Sequence, residues 1–191
     1  MNYIDVYEKA FTHPTYSQYD EREFKLQYLL DYIKKDIPKT VIDVGSGRGN
    51  LLKLIKDNFP SIKLMSVDLN KFHNIDVDFM QINLSLPEDR VRLSSIKYDL
   101  VTCFDVLEHL DKFFIEDVLF VFSKIAPISI LTIANHSDIL DGIELHTIQE
   151  DFTYWGALIE KYFDIIYYEE RYIIDSKPLL YLVNLKSKTF K

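Results

Sequence analysis

Three groups of residues in this 191-residue chain have types and spacing that could do chemistry. The first is Gly45, Gly47 and Gly49, a G-x-G-x-G run that follows the apolar segment Thr40-Val41-Ile42-Asp43-Val44 and includes Ser46. Leu51, Leu52, Leu54 and Ile55 come next at helical spacing. A strand, a turn bare of side chains and a helix start let backbone touch a ligand directly. Asp68 closes a second apolar run, Leu64-Met65-Ser66-Val67, about 20 residues after the last glycine, the interval that carries a ribose-binding acid in nucleotide-binding βαβ units. A carboxylate has two oxygens to offer a vicinal diol.

The second group is Asp105, Glu108 and His109, in Asp105-Val106-Leu107-Glu108-His109. If this segment turns into a helix, the three share one face at i, i+3 and i+4. Two carboxylates and an imidazole suit a divalent ion. The third group follows the next apolar run: Asn135-His136-Ser137-Asp138, then Glu144-Leu145-His146. The loop is long enough to return a histidine over the second group, and long loops in compact domains are often functional. A histidine titrating near neutrality can take a hydroxyl proton, and a bound metal can acidify that hydroxyl instead. His109 and His146 are the first candidates for base or ligand and His136 the third. His13 and His73 have no supporting context.

The elements that must position these groups alternate. Residues 1 to about 38 read as helical: Tyr3, Val6, Tyr7, Ala10 and Phe11, then a break at His13-Pro14, then Phe24, Tyr28, Leu29, Tyr32 and Ile33 before Pro38. Strands are predicted at about 40–45, 62–67, 78–83, 98–104 and 128–133, and at 164–172 and 179–186. Helices are predicted at about 49–58, 112–125 and 150–162, with a polar stretch after Leu84 and a loop at 135–149. Strands alternating with helices call for a parallel sheet covered on both faces. The last two strands have only the turn signal Asp175-Ser176-Lys177-Pro178 between them, which makes a hairpin.

Composition narrows the classes. The chain is 48% hydrophobic, with thirteen Tyr and thirteen Phe, which excludes a disordered chain and supplies one domain's core. The net charge of −8, with no basic tail or stripe, weighs against nucleic acid as a partner. Cys103 is the only cysteine, so no internal disulfide or cysteine-cage zinc site can form. No apolar run approaches the ~20 residues of a membrane span, and the N-terminus lacks a signal-peptide core, so the expected location is cytoplasmic. Tyr167, Tyr168, Tyr172, Leu180 and Tyr181 fit core packing or a dimer edge, leaving monomer and homodimer both open. Phe152, Tyr154, Trp155 and Phe163 read as core, with an acceptor-pocket wall as the sharper alternative.

Asp43 ahead of the glycines repels a pyrophosphate but attracts a cationic amino-acid group, and no Lys-Ser/Thr pair follows the turn. With Gly45, Gly47 and Gly49 this resembles the first motif of class I S-adenosylmethionine (SAM) dependent methyltransferases, over roughly residues 40–185. The resemblance implies a Rossmann-like, seven-stranded, mostly parallel sheet with helices on both faces and an antiparallel strand at one edge. It implies one domain, with residues 1–38 as a helical cap that closes over the cofactor and 39–191 as the SAM-binding core. The cofactor residues it implies are Asp43, Gly45, Ser46, Gly47, Gly49, Asp68 and Leu69, with Asn83 and Leu84 at the adenine and Phe104 lining the methionine pocket. The string Asp-x-x-Glu-His with a later histidine is similar to ubiquinone-pathway O-methyltransferases and to small-RNA 2′-O-methyltransferases, where a divalent ion such as Mg2+ orients acceptor hydroxyls. It departs from them at Asp105, where they carry Glu. The metal set so implied is Asp105, Glu108, His109 and His146.

The leading expectation is methyl transfer from SAM to a hydroxyl oxygen of a small molecule: a natural-product, sugar or glycan precursor. RNA 2′-O-methylation and a non-catalytic SAM-fold binding subunit are the alternatives.

Overall fold

The computed structural model describes residues 6, 9–10, 23–174 and 177–191. Most of the expected first helix, the break at His13-Pro14 and the Asp175-Ser176 part of the last turn lie outside the described residues. The chain then runs through α1 (Glu23–Lys35), β1 (Thr40–Val44), α2 (Asn50–Asn58), β2 (Lys63–Asp68), β3 (Asp78–Gln81) and α3 (Pro87–Ser94). It continues with β4 (Leu100–Phe104), a single 3₁₀ turn (Leu107–His109), α4 (Lys112–Ile125), β5 (Ile128–Ala134), β6 (Ile139–Leu140) and β7 (Ile143–Glu144). The last elements are α5 (Phe152–Ile159), β8 (Phe163–Ile174) and β9 (Lys177–Ser187).

The main sheet has seven strands in the order β3-β2-β1-β4-β5-β9-β8. All pairs are parallel as far as β5, and β9 runs antiparallel to both of its neighbours. The hairpin at one edge was expected because no helix-forming residues separate its legs.

Period-two alternation distributes the core. Val41, Leu64, Leu100, Ile130 and Leu182 face α1 and α2, where Leu29, Ile33, Leu51, Leu52 and Ile55 cover them. Ile42, Val44, Val101, Cys103, Leu131, Ile133 and Val183 face the other way, beneath Leu93, Ile115, Phe122 and Trp155 from α3, α4 and α5. Both layers are dry because continuous apolar strands such as Ile130-Leu131 offer hydrophobic atoms to each side.

Two elements differ from the sequence reading. The stretch after Leu84 forms α3, with Pro87 at its first turn and Glu88 and Asp89 facing its positive end. The loop expected at 135–149 holds a small hairpin, β6–β7, around Asp141-Gly142. Both turn residues have positive φ (51° and 78°), the backbone that a two-residue hairpin of right-handed twist requires and that Asp-Gly favours.

Trp155 and Phe163 are fully buried, and Phe152 stacks on Tyr168 with ring centroids 3.9 Å apart. These aromatics are core. Cys103 is equally buried, and burial pushes its thiol well above the ordinary range, so it is inert. The Trp155 indole N–H has no hydrogen-bond partner among the described residues. Trp155→Ala is expected to lower unfolding free energy by about 3–5 kcal/mol. Trp155→Phe should cost less than half of that, because it also removes an unsatisfied donor. Urea denaturation of both variants measures the difference.

Candidate active site

The site is built at the carboxyl ends of β1, β2 and β4, where the chain crosses from one half of the sheet to the other. A cavity of about 240 Å³ opens there. Gly45, Asp68, Leu69, Asn83, Leu84 and Ser85 form one side of its wall, and Asp105, Val106, His109, Leu110, Asp111 and Phe114 the other.

Gly45 has φ 76°, and a Cβ on it would lie 2.2 Å from Val106 Cγ2, so no other residue fits between β1 and the segment after β4. The Asp68 carboxylate accepts from Gly47 N at 2.7 Å and from Leu69 N at 2.6 Å. Burial raises its pKa to about 6, against the lowering effect of those two N–H groups. Each oxygen keeps a lone pair for a ligand hydroxyl. Asn83 Oδ1 accepts from Ser85 N at 3.0 Å, closing a tight turn at the cavity wall.

Sequence reasoning missed what holds this wall. Asp89 Oδ2 accepts from Asn83 N at 2.8 Å. The buried Arg90 donates to Leu84 O at 2.7 Å and to Asp117 Oδ2 at 3.0 Å, with its guanidinium 5.3 Å from the Phe114 ring centroid. The usable signal was Pro87-Glu88-Asp89, a helix start that would have placed Arg90 one turn in.

Opposite this wall, the donor atoms of Glu108, His109 and His146 all lie within 4.8 Å of one another. Glu108 is fully buried and its Oε1 accepts from Ala134 N at 2.9 Å. His109 Nδ1 lies 3.1 Å from Leu145 O, and His146 Nδ1 lies 2.6 Å from His136 O. A carbonyl only accepts, so both Nδ1 atoms carry the proton and both Nε2 atoms are lone-pair nitrogens. Burial, reinforced by the nearby His146 imidazole, drives the His109 pKa down to about 3. Burial also lowers His146, against the raising effect of the His136 carbonyl. Both shifts favour the neutral imidazole, whose Nε2 lone pair is suited to holding a cation.

The loop that returns His146 is stapled by Glu144, whose carboxylate accepts from Ser137 Oγ, from Asp138 N at 2.8 Å and from His146 N at 3.0 Å. The β6–β7 hairpin fixes the distance between His136 and His146, and Asp-Gly was its unread signal.

Several expectations need correction. Asp105 is not in the Glu108–His109–His146 group. The chain leaves β4 with Asp105 at φ 55° and makes one 3₁₀ turn, so the α-helical i, i+3, i+4 face does not form. Asp105 lines the cavity and its Oδ1 accepts the Thr132 hydroxyl at 2.7 Å. The His136 ring is outside the group as well, and its contribution is the carbonyl that orients His146. Phe104 is off the cavity wall, because strand alternation packs it on the α1/α2 side. Asp43 is buried on that side beside its β4 neighbour, where Oδ1 accepts the Thr102 hydroxyl at 2.7 Å. Burial raises Asp43 to about 7, an effect the Thr102 hydroxyl opposes and the Asp68 charge adds to. Ser46, Gly47 and Gly49 are not among the residues lining this cavity. Of the expected helical cap, α1 is described and packs Leu29 and Ile33 on the sheet, and the part before Glu23 falls largely outside the described residues.

The methyltransferase-domain family matches residues 18–169 of this chain. The chain belongs to that family. This chain has the class I SAM-dependent methyltransferase fold, and the cofactor of that family is SAM. It is 31% identical over 121 residues to the small RNA 2′-O-methyltransferase of Mus musculus, an alignment covering 53% of this chain and 28% of that protein. The chain therefore spans under a third of the curated relatives it matches. Among solved structures, the methyltransferase domain of a bacterial Hen1 (CtHen1-CN) superposes with TM-score 0.63 at 20% identity, covering 85% of this chain and 97% of that one. The N-methyltransferase NodS of Bradyrhizobium japonicum WM9, solved with S-adenosyl-L-homocysteine (SAH), superposes with TM-score 0.69 at 12% identity, covering 98% and 100%. Those two likenesses are of fold. The relatives do not support the expectation that nucleic acid is an unlikely partner. No described helix of the methyltransferase is long and apolar enough to cross a membrane.

If the Asp68 carboxylate clasps the cofactor's ribose, SAH affinity depends on its charge. The ionised form accepts both hydroxyls, so affinity is full above the raised pKa and falls as pH drops through about 6. Calorimetric SAH binding should weaken by roughly tenfold per pH unit at the acid end. Asp68→Asn should bind weakly throughout, with the step at 6 removed and only a shallower dependence from Asp43 remaining.

Proposed function

We propose that this chain transfers the SAM methyl group to a ribose 2′-hydroxyl of an RNA acceptor, with a divalent cation held by Glu108, His109 and His146. The observation that carries the reading is the convergence of those three side chains within 4.8 Å beside a wall bearing Gly45 and Asp68.

The donor set fits a cation. Two imidazoles with Nδ1 tied to carbonyls present lone pairs on Nε2, and the carbonyl hydrogen bonds fix the tautomer and raise ligand basicity. Two nitrogens and one carboxylate suit Mn2+, Co2+ or Zn2+ better than Mg2+, which prefers oxygen ligands throughout. A cation so held would lower the pKa of an acceptor hydroxyl and bind the neighbouring hydroxyl of a vicinal diol. SAM supplies an electrophilic methyl on its sulfonium. The chain's part is to align the two. Asp68 takes the cofactor ribose, Asn83 and Leu84 the adenine, and Gly45 lets the backbone pass close to the amino-acid end. Asp105, bonded to Thr132, contributes negative charge on the cavity wall between the two halves. In-line positioning is most of what methyl transfer needs.

The 31% identity to a small RNA 2′-O-methyltransferase supports RNA as the acceptor class. A second reading, a small molecule with adjacent hydroxyls, is favoured by the net charge of −8 and the lack of a basic stripe. A short RNA ending in a 2′,3′-diol should gain one methyl by mass spectrometry, and the same RNA ending in a 2′-deoxynucleotide should gain none. Chelation should abolish the reaction and Mn2+ should restore it better than Mg2+. Glu108→Gln should reduce the rate by about 10–100-fold. Methylation of a free sugar or catechol diol with no methylation of the RNA would select the second reading.

A further inference from the structure

Beneath the glycine turn lies a buried polar chain that the methyl-transfer chemistry does not use. Ser46, Ser66 and His73 are all buried, with His73 8% exposed and Ser66 0%. Ile75 N donates to His73 Nδ1 at 3.2 Å, so Nδ1 is the acceptor nitrogen and Nε2 carries the proton. Nε2 lies 2.8 Å from Ser66 Oγ and must donate to it. Ser66 Oγ is also 2.7 Å from Ser46 Oγ, so the two hydroxyls share a hydrogen bond in which either can donate. The order of donors is thereby fixed from Ile75 through His73 to Ser66, and the Ser66–Ser46 hydrogen bond continues the chain to the turn.

The far end of this chain is the turn itself. Gly49 N donates to Ser46 O at 2.8 Å, Ser46 N to Val67 O at 3.2 Å, and Gly47 N to Asp68 Oδ2 at 2.7 Å. The His73 ring also sits directly under Gly49, where a Cβ would approach its Cγ to 2.9 Å. His73 thus grips the turn twice, through hydrogen bonds to Ser46 and by ring contact below Gly49. Three residues of this turn, Gly45, Gly47 and Gly49, have positive φ and no side chain with which to hold it. Its shape must be imposed from below.

We infer that His73 is a positioning residue for the cofactor, acting through Ser66 and Ser46 to hold the glycine turn and Asp68 in the geometry that receives SAM. The inference rests on the placement of SAM at Gly45 and Asp68 proposed above. His73 is not among the residues lining the cavity, so it acts through the turn and not on the reacting groups. Its effect is therefore on cofactor affinity and not on turnover.

The test combines calorimetric SAH binding with steady-state kinetics on the full chain. His73→Phe keeps the ring volume and removes both hydrogen bonds. It should weaken SAH binding and raise KM for SAM by about tenfold, the loss expected from a buried hydrogen-bonded link. Its kcat at saturating SAM should stay within about twofold of wild type. Ser66→Ala should give the same loss, and the double variant no more than either single change, since both cut one chain. His73→Gln, whose amide can donate to Ser66, should recover much of the affinity. Thermal unfolding of each variant identifies any that fails to fold, and Ser66→Ala, the smaller change, then carries the comparison. Unchanged SAH affinity in both folded single variants, additive losses, or a kcat loss with unchanged KM would overturn the role of His73 while leaving the cofactor site intact. Absence of SAH binding by wild type would overturn the cofactor site and the inference together.

Discussion

Gly45 and Val106 meet where β1 and β4 end, and the site depends on that contact. The crossover at the centre of the sheet sends the connection after β1 one way and the connection after β4 the other. The two segments are side by side at the strand ends, with no room for a side chain on the first. One carries the bare turn, the other the Glu108–His109 pair. Their proximity follows from strand order, which is why ligands of open parallel sheets bind at such points.

Around that contact the two halves are supported differently. The half with Gly45 and Asp68 is held mostly by hydrogen bonds to backbone: Asp68 on Gly47, Asp89 on Asn83, Arg90 on Leu84. A surface that accommodates a nucleoside cannot fill itself with side chains, so its shape is fixed from behind. The His109–His146 half is held by loop closure. Glu144 staples residues 137–146, and Leu145 and His136 lend carbonyls to the two imidazoles. Both imidazoles are oriented by carbonyls of the one 135–149 loop, His109 through Leu145 and His146 through His136, so the loop positions the pair as a unit. Their rings lie edge-on, with centroids 4.5 Å apart.

Buried carboxylates are the energetic cost of this arrangement. Asp43, Asp68 and Glu108 are withdrawn from water in one region, and burial raises the first two towards neutral pH. A cationic methyl donor and a divalent ion are the ligands that such a region favours electrostatically.

The sequence alone determined the strand–turn–helix at residues 40–58, the acid at 68, the alternating sheet and the edge hairpin. These depend on local periodicity and on glycine, whose constraints are written within a few residues. It also picked out Glu108, His109 and His146, since polar residues at strand ends are visible as interruptions of apolar runs. Tertiary structure decided the rest. It excluded Asp105 from the histidine cluster, because a left-handed residue and one 3₁₀ turn replaced the helix that spacing suggested. It put Phe104 and Asp43 on the α1/α2 face, since which face a strand residue takes depends on what the sheet packs against. And it gave His73, without context along the chain, a place beneath the turn, joined by Ser66 to Ser46 across a 20-residue separation that only folding closes.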